Sequence, residues 1–138
     1  MIKELRHIAI IAFLLFKVFL VQGQNFIGLD ETEIAKQMSI SNPQFKLDKN
    51  VINPTYKYLK YVDKITEQTI LFFLSDNGDC TYVRWMSDYS NLNDMISMLN
   101  QKYKKNTSNT WSFTENGQSY TVKLEEGEWY FTVSFRKK

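Results

Sequence analysis

The residues with the most chemical promise lie together at 74–86, LSDNGDCTYVRWM, where the chain's only cysteine, Cys80, follows Asp76, Asn77, Gly78 and Asp79. Acid and amide oxygens around a glycine suggest a calcium loop, and a lone cysteine suggests a reactive thiolate. A calcium loop of the EF-hand kind needs oxygen ligands at alternate positions before its glycine and a glutamate at its twelfth position. Setting Gly78 as that glycine puts Phe73 first, so no such site can be built. Asp, Asn and Gly are also the residues that close tight turns, and a turn is what they support at this place. A catalytic thiolate needs a positive neighbour or a helix N-terminus to lower its pKa. Cys80 has neither close by, Arg84 being the nearest cation in sequence. It reads as a small residue packed on a strand, with an intermolecular disulfide as the alternative.

The chain opens MIKELRHIAIIAFLLFKVFLVQGQNF. Lys3 and Arg6 precede an unbroken apolar run from Ile8 to Phe16, and small and polar residues follow Val21. That is the layout of a secretory signal, with Val21 and Gly23 suited to the positions three and one before a cut. Residues 1–23 are expected to be removed, and 24–138 to form a single exported domain, periplasmic or extracellular. The run is interrupted by Lys17 and falls short of the about 20 apolar residues of a membrane helix, so no stable membrane span is expected after cleavage.

Removing Lys3, Arg6, Lys17 and Glu4 from 17 basic and 15 acidic residues leaves 14 of each. A net charge of zero argues against nucleic acid, whose binders carry clustered positive charge. The small basic clusters Lys102-Tyr103-Lys104-Lys105 and Arg136-Lys137-Lys138 read as a solvated helix end and chain terminus. The cut also takes His7, the only histidine. Without histidine there are no Ser-His or Cys-His pairs, histidine bases or histidine metal ligands. One cysteine makes neither a thiolate zinc site nor an internal disulfide. No catalytic residue, metal site or cofactor is predicted.

The elements that position these residues follow from turn chemistry and periodicity. Leu29-Asp30-Glu31-Thr32-Glu33-Ile34 has the form of a capping box with a hydrophobic staple, which predicts a short helix over 31–39. Phe45-Lys46-Leu47 and Tyr56 to Asp63 read as strands. Asn77-Gly78, taken as a two-residue type I′ loop, pairs Ser75 with Cys80, Phe72 with Val83 and Ile70 with Trp85. Ile70, Phe72, Leu74, Val83 and Trp85 then share one face. Leu92, Met95, Ile96, Leu99 and Tyr103 mark a second helix, with Ser90 as its cap. Asn116-Gly117 pairs Phe113 with Tyr120 and Trp111 with Val122. A further loop at Glu126-Gly127 pairs Leu124 with Trp129, Val122 with Phe131, and Glu125 unfavourably with Glu128. The C-terminal meander is thus apolar on one face and rich in Ser and Thr on the other.

The predicted fold class is α+β: an antiparallel sheet of six to seven strands with two helices packed on one face, in two α-β-β-β units related by a weak internal repeat. The order resembles that of small exported α+β modules, inhibitor-like and PepSY-like ones among them. The informative oddity is the second face of the first hairpin, which carries Leu71, Phe73, Cys80, Tyr82, Arg84 and Met86 where the C-terminal meander carries Ser and Thr. Either residues 24–28 or the loop 49–55 cover that strip, or it is a contact surface of the aromatic and arginine type that dominates interfaces. The expected function is a non-enzymatic binding module for a protein partner, with Phe73, Tyr82, Arg84 and Met86 as contacts. Two alternatives remain: a glycan-binding module stacking sugars on Tyr56, Tyr58 and Trp85, and a histidine-free hydrolase or lyase with two facing carboxylates.

Overall fold

The computed structural model describes residues 25–49 and 55–138. The expected signal segment, its cut site and most of the loop 49–55 lie outside the described residues. Helix α1 (Glu31–Ser41) precedes β1 (Lys46–Leu47), β2 (Tyr58–Asp63), β3 (Gln68–Leu74) and β4 (Cys80–Ser87). A 3-10 turn (Tyr89–Asn91) leads into α2 (Leu92–Lys102), followed by β5 (Lys104–Lys105), β6 (Thr110–Glu115), β7 (Gln118–Glu126) and β8 (Phe131–Lys137). Among the described residues the eight strands form one antiparallel sheet in the order β1-β2-β3-β4-β8-β7-β6-β5. Each half is a helix followed by four strands, and the halves join where β4 pairs with β8. The first half holds the four strands whose segments were read from the sequence, and the second holds one more than the three expected. β5 is the strand that was missed: two lysines have no apolar pattern, and their backbone pairs with Ser112 and Trp111 at the sheet edge.

Both helices lie on one face. Ile34 and Met38 of α1 are buried with Phe45, Tyr61, Ile70, Phe72, Cys80 and Val83. Met95 and Leu99 of α2 are buried with Trp111, Val122, Leu124, Phe131 and Val133. Trp85 and Phe135 touch both clusters and make the core continuous across the β4–β8 junction. The capping box forms: Asp30 Oδ1 accepts from Glu33 N at 2.9 Å, and Asp30 N donates to Glu33 Oε2 at 3.3 Å. Ser90 does not cap the second helix: it lies in the preceding 3-10 turn, which Asp88 caps by accepting from Ser90 N at 2.8 Å, and the N-cap of α2 is Asn91, without a side-chain capping bond.

The turns decide which residues face the core. Asn116 and Gly117 both have positive φ, 51° and 75°, and close the two-residue loop expected of them. Phe113 opposes Tyr120 and Trp111 opposes Val122, as predicted. The first hairpin differs. Gly78 alone is left-handed (φ 87°), Gly78 N donates to Ser75 O at 2.9 Å, and Ser75 N donates to Asp79 O at 2.8 Å. The loop therefore has three residues, and Leu74 rather than Ser75 opposes Cys80. A bulge beyond Phe73 restores the predicted pairs Phe72–Val83 and Ile70–Trp85. One extra residue between Cys80 and Tyr82 turns Cys80 to the core face, so it does not belong to the strip with Phe73 and Tyr82.

The third turn is a four-residue loop, Gly127 to Tyr130, with Glu126 opposite Phe131. Leu124 consequently faces Val133 and Val122 faces Phe135, while Trp129 stands in the loop, 78% exposed. Glu125 opposes Thr132 instead of Glu128, so the expected repulsion does not arise. Gly127 N donates to Tyr130 O at 2.9 Å, and Tyr89 Oη donates to Gly127 O. A Cβ on Gly127 would sit 2.7 Å from the Tyr130 carbonyl oxygen. That oxygen is backbone and cannot swing aside. Gly127→Ala is expected to lower stability by about 1–3 kcal/mol, read as a drop in urea midpoint with an unchanged slope.

Candidate functional site

Side chains alternate along a strand, so the residues between the core positions form the opposite face of the sheet. Buried residues of both helices belong to the two core clusters, so among the described residues no helix lies upon this second face. Across the central strands it reads in three rows. The first is Tyr58, Phe73, Tyr82, Arg136 and Thr121. The second is Lys60, Leu71, Arg84, Ser134 and Lys123, and the third is Val62, Thr69, Met86, Thr132 and Glu125. Phe73, Tyr82, Arg84 and Met86, the four residues named from the sequence, are brought together here.

The first row is a ladder of rings. Tyr58 and Phe73 have centroids 5.7 Å apart, and Phe73 and Tyr82 are 5.3 Å apart. The ladder ends in a cation–π contact, with Arg136 Cζ 4.8 Å from the Tyr82 centroid. Leu71, Phe73, Tyr82 and Met86 are half-buried by one another and Arg84 is exposed. In the equivalent half of the molecule the same face carries Ser112, Thr114, Ser119 and Thr121. The two halves share one architecture, so the contrast lies in the residues and not in the fold.

Residues 25–28 do not cover the strip. The Phe26 ring lies 5.0 Å from Phe72 on the core face, Gly28 N donates to Cys80 O at 2.7 Å, and Cys80 N donates to Leu29 O at 2.8 Å. Two hollows flank the open face. One, of about 510 Å³, has Lys57, Phe73, Asp76 and Thr81 among its lining. The other, of about 260 Å³, runs from Arg84 and Thr132 to Glu125, Glu128, Trp129 and Tyr130. Trp129 is the surface residue that sequence reasoning missed, because a two-residue loop at Gly127 placed it in the core. The tight approach at Gly127 fixes the longer loop, and nothing in the residue types announces it.

The stacking platform expected for a glycan does not form. Tyr58 is on the open face, whereas Trp85 is on the core face, its Nε1 donating to Gln68 Oε1 at 2.8 Å and its ring edge-on to Phe45 at 6.0 Å. Cys80 is 1% exposed, its Sγ is 3.6 Å from Tyr82 O, and burial pushes its thiol up to about 11. So sealed, it is no partner for an intermolecular disulfide in the folded protein.

The carboxylates whose titration is displaced are all held low, in the ionised form. Asp63 is held by the Thr66 hydroxyl and by the amides of Ile65 and Thr66. Asp88 is held by its hydrogen bonds to Ser90. Glu125 is held by Lys123, 2.7 Å away, and by Arg84 and Arg136. A general acid needs the opposite shift. Among the described residues no group of three or more Cys, Asp or Glu is placed to hold a metal, and no helix is long and apolar enough to cross a membrane. No family model matches the chain, and neither a curated protein nor a solved structure matches it.

Proposed function

We propose that the chain is an exported, non-enzymatic binding module that engages a protein partner through the sheet face opposite α1 and α2. The observation that carries this reading is the contrast between the halves: Tyr58, Leu71, Phe73, Tyr82 and Met86 on one, serine and threonine on the other. Aromatic rings already fixed in a row lose little rotamer freedom on binding, and Arg84 beside them supplies directional hydrogen bonds. Export rests on the basic start, apolar run and small-residue cut site of residues 1–23.

The test is retention of proteins from the native envelope and medium on tagged residues 24–138, which hold both cores, with identification by mass spectrometry. One stoichiometric protein is expected, lost on Tyr82→Ser while the circular dichroism of the variant stays that of the parent. A partner held equally by Tyr82→Ser, Phe73→Ser and Met86→Ser variants sinks the placement. Trp129, exposed beside the hollow that carries Glu125 and Glu128, favours glycan binding as a second reading. A blank in the retention experiment, with glycan-array signal abolished by Trp129→Ala, decides for it.

A further inference from the structure

The charge on the open face says what kind of protein fits it. Lys60, Arg84, Lys123 and Arg136 stand on neighbouring strands in its first two rows. Lys60 is paired with Asp48 at 3.6 Å and Lys123 with Glu125 at 2.7 Å. Arg84 and Arg136 form no ion pair among the described residues. They lie diagonally across the β4–β8 junction, since Arg84 opposes Ser134 and Tyr82 opposes Arg136. Both act on the same spot, as their shared pull on the Glu125 carboxyl shows. Two exposed guanidiniums at diagonal sheet positions are arranged for carboxylates rather than for each other, while Ser134 between them is buried and its hydroxyl donates to Lys123 O at 3.5 Å.

Resting on the binding reading above, we infer that this face takes an acidic protein surface, whose carboxylates meet Arg84 and Arg136 while its apolar or aromatic side chains meet the Tyr58–Phe73–Tyr82 row. A second copy of the chain is the poorer occupant, because a two-fold axis through the central β4–β8 junction sets Arg84 and Arg136 against their own copies. A nucleic-acid strand is poorer too. Arg136 already occupies one face of the Tyr82 ring, so that ring is closed to the base stacking on which single-strand binding depends.

The test titrates isotope-labelled residues 24–138 with three probes: polyglutamate, a random glutamate–tyrosine copolymer, and single-stranded oligothymidine. The copolymer is expected to bind at least about tenfold more tightly than polyglutamate, shifting the amides of 82–86 and 132–136. Arg84→Glu with Arg136→Glu should weaken it by at least about tenfold more, and rising salt should weaken the parent but not the double variant. Both arginines are at the surface, and an unchanged urea midpoint checks that the double variant is folded. Oligothymidine binding more tightly than the copolymer and lost in the same variant would overturn the inference in favour of nucleic acid. Copolymer binding indifferent to charge reversal would overturn it outright. The two proposals separate on the retained natural partner: one released by Tyr82→Ser but held by the double arginine variant leaves the binding face standing and removes its acidic preference.

Discussion

Phe72→Ala is expected to lower the free energy of unfolding by about 3–5 kcal/mol, and Phe73→Ala, one residue further, by about 1 kcal/mol. The side chains are equal in size and neighbours in one strand, so the difference lies wholly in the face. Phe72 is 0% exposed; its ring is 5.0 Å from Phe26 and 5.6 Å from Tyr61, and it is buried with Ile34 and Met38 of the overlying helix. Removing it forfeits the transfer free energy of the ring and leaves a cavity that α1 cannot fill without leaving its own contacts. Phe73 touches Tyr58 and Tyr82 on one layer only. Water replaces it when it is cut back, and no enclosed cavity remains. A domain of this size is stable by about 5–15 kcal/mol in all, so Phe72→Ala removes a large share and Phe73→Ala a small one. Urea denaturation at neutral pH with equal slopes measures both. Equal losses would mean that Phe73 is packed on both sides, and the open-face reading would fall with that result. Loss of partner binding should run the other way, large for Phe73→Ala and absent for any Phe72 variant that still folds.

How far these two faces were legible in the sequence depends on what each depends on. Phe72 and Phe73 could be assigned to opposite faces although Ile70 to Leu74 is apolar throughout, because the turn paired Phe72 with Val83 and Ile70 with Trp85 and neighbours in a strand point opposite ways. Asn116-Gly117 was legible because both residues tolerate the positive φ of a type I′ turn, and both adopt it. Asp76-Asn77-Gly78 was legible as a turn but not in its length. The same residues close a loop of two or of three, and only the hydrogen bonds between Ser75 and Asp79 choose between them. The choice mattered for one residue, Cys80, because the bulge that follows undoes the slip for everything beyond it. Trp129 was lost for a related reason. Moving the turn from two residues to four preserves which strand residues point inward, so Phe131 and Val133 stay in the core, and only the loop residues change their surroundings. Phe73, Tyr82, Arg84 and Met86 share one face as strand alternation placed them, because all lie beyond these irregularities. Where α1, α2 and residues 25–28 dock is a tertiary fact, and alternation within one strand carries no information about it.

Cys80 gives the second large effect, in alkaline solution. Its thiol is pushed from the ordinary 9.0 to about 11 by burial, the weak bond to the Tyr82 carbonyl opposing this only in part. The fold therefore prefers the neutral thiol. The resulting stability is fully present below about pH 9, where the unfolded chain is also protonated, and is lost as pH rises through about 11, where the unfolded chain gains from ionising first. Roughly two pKa units correspond to about 3 kcal/mol lost across that window. Tyr103, pushed up to about 12 chiefly by burial, adds its own loss only above about pH 10, so the interval from pH 8.5 to 10 belongs mainly to the cysteine. The parent should lose stability there in urea titrations, and Cys80→Ala, about 1 kcal/mol weaker at pH 7, should be nearly flat. A thiol reagent at pH 8 should label the folded protein no faster than it unfolds; labelling at the rate of a free thiol would refute the seal. The same residue joins the two faces in one strand. Its backbone holds Gly28 and Leu29 against the core, and two positions on, past the bulge, Tyr82 emerges on the other side. Ionising the thiol should loosen that junction, so the alkaline limb of partner binding is expected to follow the alkaline limb of stability in the parent and to move with it in Cys80→Ala.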